Sequence, residues 1–310
     1  MSINTRFIVV ALLVACAALP LVAGTFGILL ATKIAALALF AMSLDLLLGY
    51  TGLVSFGHAA FFGIGAYAAA KAAPEYASAN LLVTLPIAVL AAGVAALAIG
   101  ALAIRTKGVY FIMVTLAFGQ MAYYVIHDVA YFGGSDGVLI FARPEIRVGD
   151  WLIADLSDPV VYFEFTLIVV ALAGWLLSRI VRAPFGHVIC GIRENEQRMR
   201  ALGYNTYLYK LASFAIAGAF AGLAGYLAAY QAEYVSPALL GWKESGIALM
   251  MVILGGSGTL AGPALGAAAL VLLQEFLSEH TEHWMGLMGL IVILTVVVLK
   301  RGLWGFFKRD

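Results

Sequence analysis

The residues able to do chemistry in this chain are few, and most of them sit together. Residues 179–210, RIVRAPFGHVICGIRENEQRMRALGYNTYLYK, place Arg179, Arg182, Arg193, Arg198, Arg200 and Lys210 against only Glu194 and Glu196, between two long apolar runs. Cations without a nucleophile and a base bind other groups and transform nothing. Within this island residues 194–202 read as a short helix. Glu194 with Arg198 and Glu196 with Arg200 are i,i+4 pairs in the stabilising acid-first order, and Gly203 stands where a C-terminal cap is wanted. Met199 and Leu202 give the helix a small apolar face. Such a helix is either a handle offered to a soluble partner or an ordinary basic loop that sets topology. Spacing alone leaves both readings open.

The apolar runs hold few ionisable groups: Lys33 and Asp45 near the two ends of the second, His58 beside a glycine-rich stretch, and Glu164 near one end of the sixth. Charge at membrane depth is costly and marks function by default. Asp45, Ser55 and His58 are therefore candidates for a polar pathway. Against this, Asp45 is near enough to the predicted inner edge to meet water, and a packing histidine bonded to a backbone carbonyl is the plain alternative for His58. Gln120, Gln231 and Gln274 are suited to bridging helices. There is no G-x-x-x-x-G-K-[ST] loop, no HExxH, no CxxC and no nucleophile–base set, so neither catalysis, a metal site nor a bound cofactor is expected. Cys16 and Cys190 imply no disulfide framework.

Two glycine-rich breaks interrupt the apolar runs: GYTGLVSFGHAAFFGIG at 49–65 and GGSGTLAGPALG at 255–266. Unwound backbone at membrane depth is tolerated only against protein or a water-filled cavity, so breaks in both halves point to a transport pathway. Gly52, Gly255 and Gly258 join the pathway candidates on that ground. The alternative is that the glycines only let helices approach closely. A faint internal repeat sets AAFFGIGAYAAA (59–70) against GAFAGLAGYLAA (218–229), with Phe61/Phe220, Gly63/Gly222 and Tyr67/Tyr226 among the matches.

The elements that must carry these residues follow from composition. With 64% hydrophobic and 11% charged residues among 310, no water-soluble fold is available. The chain reads as an all-α polytopic membrane protein. A net charge of +1 gives no sign of nucleic-acid binding. Apolar runs at 6–23, 28–48, 53–71, 80–104, 108–127, 159–181, 207–231, 245–256, 259–277 and 284–300 predict about ten transmembrane helices, with eight or nine also compatible. The run at 245–256 is too short to cross as a straight helix. Arg6 before an apolar run imitates a signal sequence, and LVAC at 13–16 imitates a lipoprotein box. Cys16 is followed by more apolar residues and no polar tether, so a first membrane helix is expected instead. Arg6, Arg105, Lys107, the 179–210 island, Lys300, Arg301, Lys308 and Arg309 place those loops and both termini in the cytoplasm. The 128–158 loop, with Asp128, Asp136, Glu145, Asp150, Asp155 and Asp158 against Arg143 and Arg147, falls on the periplasmic side, as a docking surface or a connector.

Three stretches in order resemble a known family: LDLLLGYTGLVSFGHAAFFGIGAYA at 44–68, GIRENEQRMRALGYNTYLYKLASFAIAGAFAGLAG at 191–225, and LGGSGTLAGPALGAA at 254–268. They are similar to the inner-membrane permeases of branched-chain amino-acid ABC importers of the LivM type, over residues 30–300. The resemblance implies one permease domain with a cytoplasmic coupling loop at 182–207, docking in a cleft of an ATP-binding subunit through Arg193, Glu194, Asn195, Arg198, Ala201, Gly203 and Asn205. Many members of that family carry an asparagine where this chain has Asp45. Implied partners are a second homologous permease subunit, two ATP-binding subunits that hold the ATP and Mg, a periplasmic solute-binding protein and membrane lipid. Cargo would be branched-chain or related amino acids or similar small polar solutes. The rival reading is a self-sufficient channel or secondary transporter for urea or small amides, whose mark would be ion-coupling carboxylates at mid-membrane.

Overall fold

The computed structural model describes residues 16, 18–21, 23–74, 77–148, 151–298 and 302–306. Helices dominate, because backbone facing lipid finds no water and must close its hydrogen bonds within the segment. In chain order, α1 (Thr25–Asp45) runs into a π-turn over Leu46–Thr51, and an extended approach leads to α2 (His58–Ala72). The helices α3 (Leu81–Ala103), α4 (Val109–Asp128) and α5 (Pro159–Arg182) follow, then the short α6 (Pro184–Glu194) and α7 (Glu196–Ala201). The chain continues as α8 (Thr206–Ala232), α9 (Trp242–Gly255), α10 (Ala261–His280) and α11 (Trp284–Val298). Strands β1 (Val138–Leu139), β2 (Glu145–Val148) and β3 (Trp151–Asp155) lie in the 128–158 loop, and β4 (Tyr234–Val235) follows α8.

Among the described residues, six helical segments are long and apolar enough to cross a membrane: Thr25–Thr51, α3, α4, α5, α8 and α10. The helices α2, α9 and α11, of 15, 14 and 15 residues, reach only about 21–23 Å at 1.5 Å per residue, short of a ~30 Å hydrocarbon core. The ten apolar runs therefore do not become ten full-length crossings. The run at 53–71 loses its first residues to the extended approach before α2. The run at 6–23 and both chain ends lie largely outside the described residues, and with them the expectation that the termini are cytoplasmic.

The hub is α8, packed against α1, α2 and α3, while α1 also carries α5, α9 and α10 on its other sides. In lipid, apolar character does not distinguish inside from outside, and residue size decides. On α3 the buried stripe is Thr84, Ala88, Ala92, Ala96 and Gly100 at four-residue spacing, whereas Leu82, Val83, Leu90 and Val94 point outward. A Cβ on Gly218 would strike Ala96, one on Gly222 would strike Ala92, and one on Gly225 would strike the Phe62 carbonyl. The two segments of the suspected repeat thus belong to helices packed on each other. Some helix starts carry side-chain caps: Asn80 accepts from Leu82 N at 3.0 Å, and Asp158 accepts from Val160 N at 2.7 Å with Pro159 in the first turn. In the 128–158 loop β2 and β3 form a hairpin, and β1 pairs antiparallel with β4, Val138 opposite Val235.

Candidate functional site: the polar loop and the two glycine breaks

Local structure in the polar island is set by Asn195. Its extended backbone (φ −156°) ends α6, and its side chain accepts from Arg198 N at 2.9 Å to start α7. The helix expected over 194–202 is therefore two helices meeting at a cap, with Glu194 in the first and the second covering only Glu196–Ala201. That interruption destroys the i,i+4 geometry between Glu194 and Arg198, and no ion pair between them is found among the described residues. The Glu196–Arg200 pair does form, at 2.6 Å. Gly203 adopts φ +89°, and Tyr204 N reaches Met199 O at 3.1 Å, closing α7 as the sequence indicates. Met199 lies against Gly191 of α6, while Leu202 is exposed.

A single acid fixes α7 to the rest of the protein. Glu196 takes Lys210 of α8 at 2.8 Å, Arg200 at 2.6 Å and Lys107 of the α3–α4 turn at 3.5 Å, and accepts from Thr206 Oγ1 at 3.1 Å. Burial alone would raise its pKa. The hydrogen bond and charge of Lys210, helped by Thr206 and Lys107, prevail and hold it at about 2. Asn205 caps α8 by accepting from Leu208 N at 3.3 Å. All seven loop residues picked out from the sequence are exposed, Arg193 among them, and Asn195, Gly203 and Asn205 also shape the backbone. The loop is a rigid mount with one side free.

Arg193 points the other way along the chain, into the two breaks. Its Nη1 donates to the carbonyl of Gly49 in the π-turn, and its stem passes over Gly52, where a Cβ would meet Arg193 Cγ at 2.8 Å. Gly52 has φ +77°, which only glycine holds without strain. Across the same spot, Gly258 of the second break (φ +76°) donates its N–H to Asp45 Oδ1 at 2.8 Å. A Cβ on Gly49 would strike both that carboxylate oxygen and Gly258 N. Gly255 belongs to the backbone-close contact of α9 with α10, facing the Gly262 carbonyl. Asp45, Gly52 and Gly258, named separately as pathway candidates, thus form one junction with Arg193, and Gly255 does not join it.

His58 and Ser55 are apart from it. His58 is fully buried at the start of α2, with Nε2 2.9 Å from Ser43 Oγ, which itself donates to the Phe40 carbonyl. Its ring stacks on Phe40 at 5.5 Å and meets the edge of Phe61. Ser55 is buried too, and its Oγ has no hydrogen-bond partner among the described residues. Gln231 does bridge helices, reaching Leu29 O at 3.5 Å. The sequence reading missed Glu196 as the anchor, Gly49 as an acceptor and Ser43 as the histidine's partner. Only Glu196 had a signal, its spacing to Arg200. No cluster of three metal-ligating side chains occurs among the described residues.

The profile of the family described as "Branched-chain amino acid transport system / permease component" matches residues 25–297, all of the helical body. The chain belongs to this permease family. It is a multi-pass membrane protein of amino-acid transport type. The high-affinity branched-chain amino acid transport system permease protein LivM of Escherichia coli K12 is 30% identical over 97% of this chain and 75% of its own length. The probable branched-chain amino acid transport permease protein LivM of Methanocaldococcus jannaschii is 26% identical over 77% of each chain. A shorter match, 30% identical over 43% of this permease and 40% of the relative, is to the autoinducer 2 import system permease protein LsrC of Salmonella typhimurium. No solved structure matches.

Proposed function

We propose that this permease is the membrane-spanning subunit of an ATP-driven importer for branched-chain or related amino acids. It pairs with a second, homologous permease, draws ATP hydrolysis from two ATP-binding subunits and receives cargo from a solute-binding protein. In this reading α6 and α7 lie on the cytoplasmic side, as the cations of the loop favour, and the 128–158 loop faces the binding protein. The observation that carries it is α7 itself: a six-residue helix capped at both ends, held by Glu196 on one side and exposing Gln197, Arg198, Ala201 and Leu202 on the other. A self-sufficient channel has no use for so rigid a mount with a free face. The cargo class rests on the transport systems named for the relatives.

The test is Arg198→Glu. Arg198 makes no ion pair among the described residues, so its reversal leaves folding within about 0.5 kcal/mol of the parent. Bringing like charges together at a subunit interface costs several kcal/mol. The variant should insert normally, lose its ATP-binding subunit on purification and stop importing. Uptake of cargo by the purified wild-type chain alone, in vesicles without nucleotide, would refute the importer reading.

A further inference from the structure

We infer that Arg193 is a positioning residue of the transport cycle: it ties movement of the α6–α7 loop to both glycine breaks and does not serve to hold the ATP-binding subunit. The inference rests on the reading of α7 as the docking helix. Arg193 is the penultimate residue of α6, and Asn195, two residues on, is already the cap of α7. Displacement of α7 therefore reaches Arg193 through a few backbone bonds, with no flexible linker to absorb it. At the far end of the side chain, Nη1 holds the carbonyl of Gly49. That carbonyl is among the last of the helical segment ending at Thr51, where no onward N–H exists to take it and where a cation is favoured.

The second break is held to the same turn. Gly258 N donates to Asp45, and Gly49 admits no Cβ because both partners of that bond occupy the space. The Cβ position of Gly258 lies 3.6 Å from Arg193 Nη1, and the guanidinium also acts electrostatically on Asp45. Three segments distant in sequence, the end of α6, the end of α1 and the α9–α10 turn, thus meet with glycine at each closest approach. Pulling Arg193 displaces the π-turn, and the π-turn carries Asp45 and with it Gly258. Both breaks move or neither does.

The experiment uses the assembled transporter with its binding protein in proteoliposomes, and compares Arg193→Met with Arg193→Lys. Methionine keeps the stem over Gly52 and removes every donor, whereas lysine keeps one donor for Gly49. Arg193→Met should retain the ATP-binding subunits and hydrolyse ATP, yet import cargo at least tenfold more slowly, so that ATP spent per cargo rises. Arg193→Lys should restore a substantial part of the import, a recovery that a docking contact disrupted by shape would not show. Asp45→Ala, which leaves the loop untouched and frees Gly258, should give the same uncoupling and decides the matter where Arg193→Met fails to insert in the membrane. Wild-type import by Arg193→Met or by Asp45→Ala overturns the inference, as does release of the ATP-binding subunits by Arg193→Met in the manner of Arg198→Glu. A wild-type chain that never retains an ATP-binding subunit is a different failure: it defeats the functional reading beneath.

Discussion

Both ends of α8 are tied down by an ion pair from a neighbouring loop, and the two ties differ in how many partners share the charge. At the Thr206 end, one acid, Glu196, is shared by Lys210, Arg200 and Lys107. At the Ala232 end, one cation, Arg143 of the 128–158 loop, is 7% exposed and meets Glu233, 54% exposed, at 3.1 Å. Arg143 also donates to Ser157 O at 3.1 Å and lies 5.4 Å from the centre of the Tyr162 ring. A shared acid survives the loss of one cation. A buried cation with one acid does not survive the loss of that acid. The first tie is graded and the second all-or-none.

That contrast is sharpest at Glu233. Replacing Glu233 by alanine strands the Arg143 charge in a site it cannot leave, and should cost about 3 kcal/mol, read as thermal unfolding in detergent. Arg143→Met removes the charge together with its need for a partner, and should cost less although it deletes the more buried residue. An equal or larger loss in Arg143→Met would show that packing, not stranded charge, governs this end.

A middle-sized effect belongs to Glu196→Gln. It releases three cations, of which Lys210 has a side chain only 10% exposed, and should cost about 1–2 kcal/mol by leaving that ammonium poorly paired. Import should fall with it, since α7 loses its mount. The pH dependence has a definite sign. Glu196 titrates at about 2 in the folded chain against an ordinary 4.5, so its contribution is complete above pH 4.5 and disappears as pH falls toward 2. The stability difference between wild type and Glu196→Gln should therefore be flat from pH 7 to 5 and shrink only below that. A difference already fading between pH 7 and 6 would contradict the shared-acid geometry.

The smallest effect is Lys107→Ala. Lys107 is 65% exposed and the most distant of the three cations at 3.5 Å, so its loss should change stability by no more than about 0.5 kcal/mol. A loss as large as that of Glu196→Gln would mean the tie is not shared.

How much of this was legible in the residues depends on whether the interaction is local. The cap at Gly203 and the Glu196–Arg200 spacing are local, and they appear where the sequence puts them, whereas only some of the apolar runs become helices of full crossing length. Asn195 was legible as a polar residue but not as a cap inside an otherwise continuous helical pattern, and so the α6–α7 boundary was missed and Glu194 was assigned to the wrong helix. The two glycine breaks were visible as breaks. Their meeting was not, because Gly49 and Gly258 touch through backbone, which leaves no side-chain pattern to read. Arg143 looked like one more loop charge, since nothing in its neighbourhood announces the Tyr162 ring of α5 or Glu233 at the end of α8. The short β1–β4 pairing has two residues a side, too few for any alternation to show.

The stripe of alanine and glycine between α3 and α8 carries one more consequence. Alanine and glycine have no rotamers to surrender, so at these positions closing the interface costs essentially no side-chain conformational entropy, against up to ~2 kcal/mol for each long side chain fixed elsewhere. With lipid offering little hydrophobic reward for helix association, that saving is a principal reason the pair can stay shut. It also means the seam has only one way to be closed. Its order is inherited from the backbone, and heating can loosen it only by parting the helices themselves.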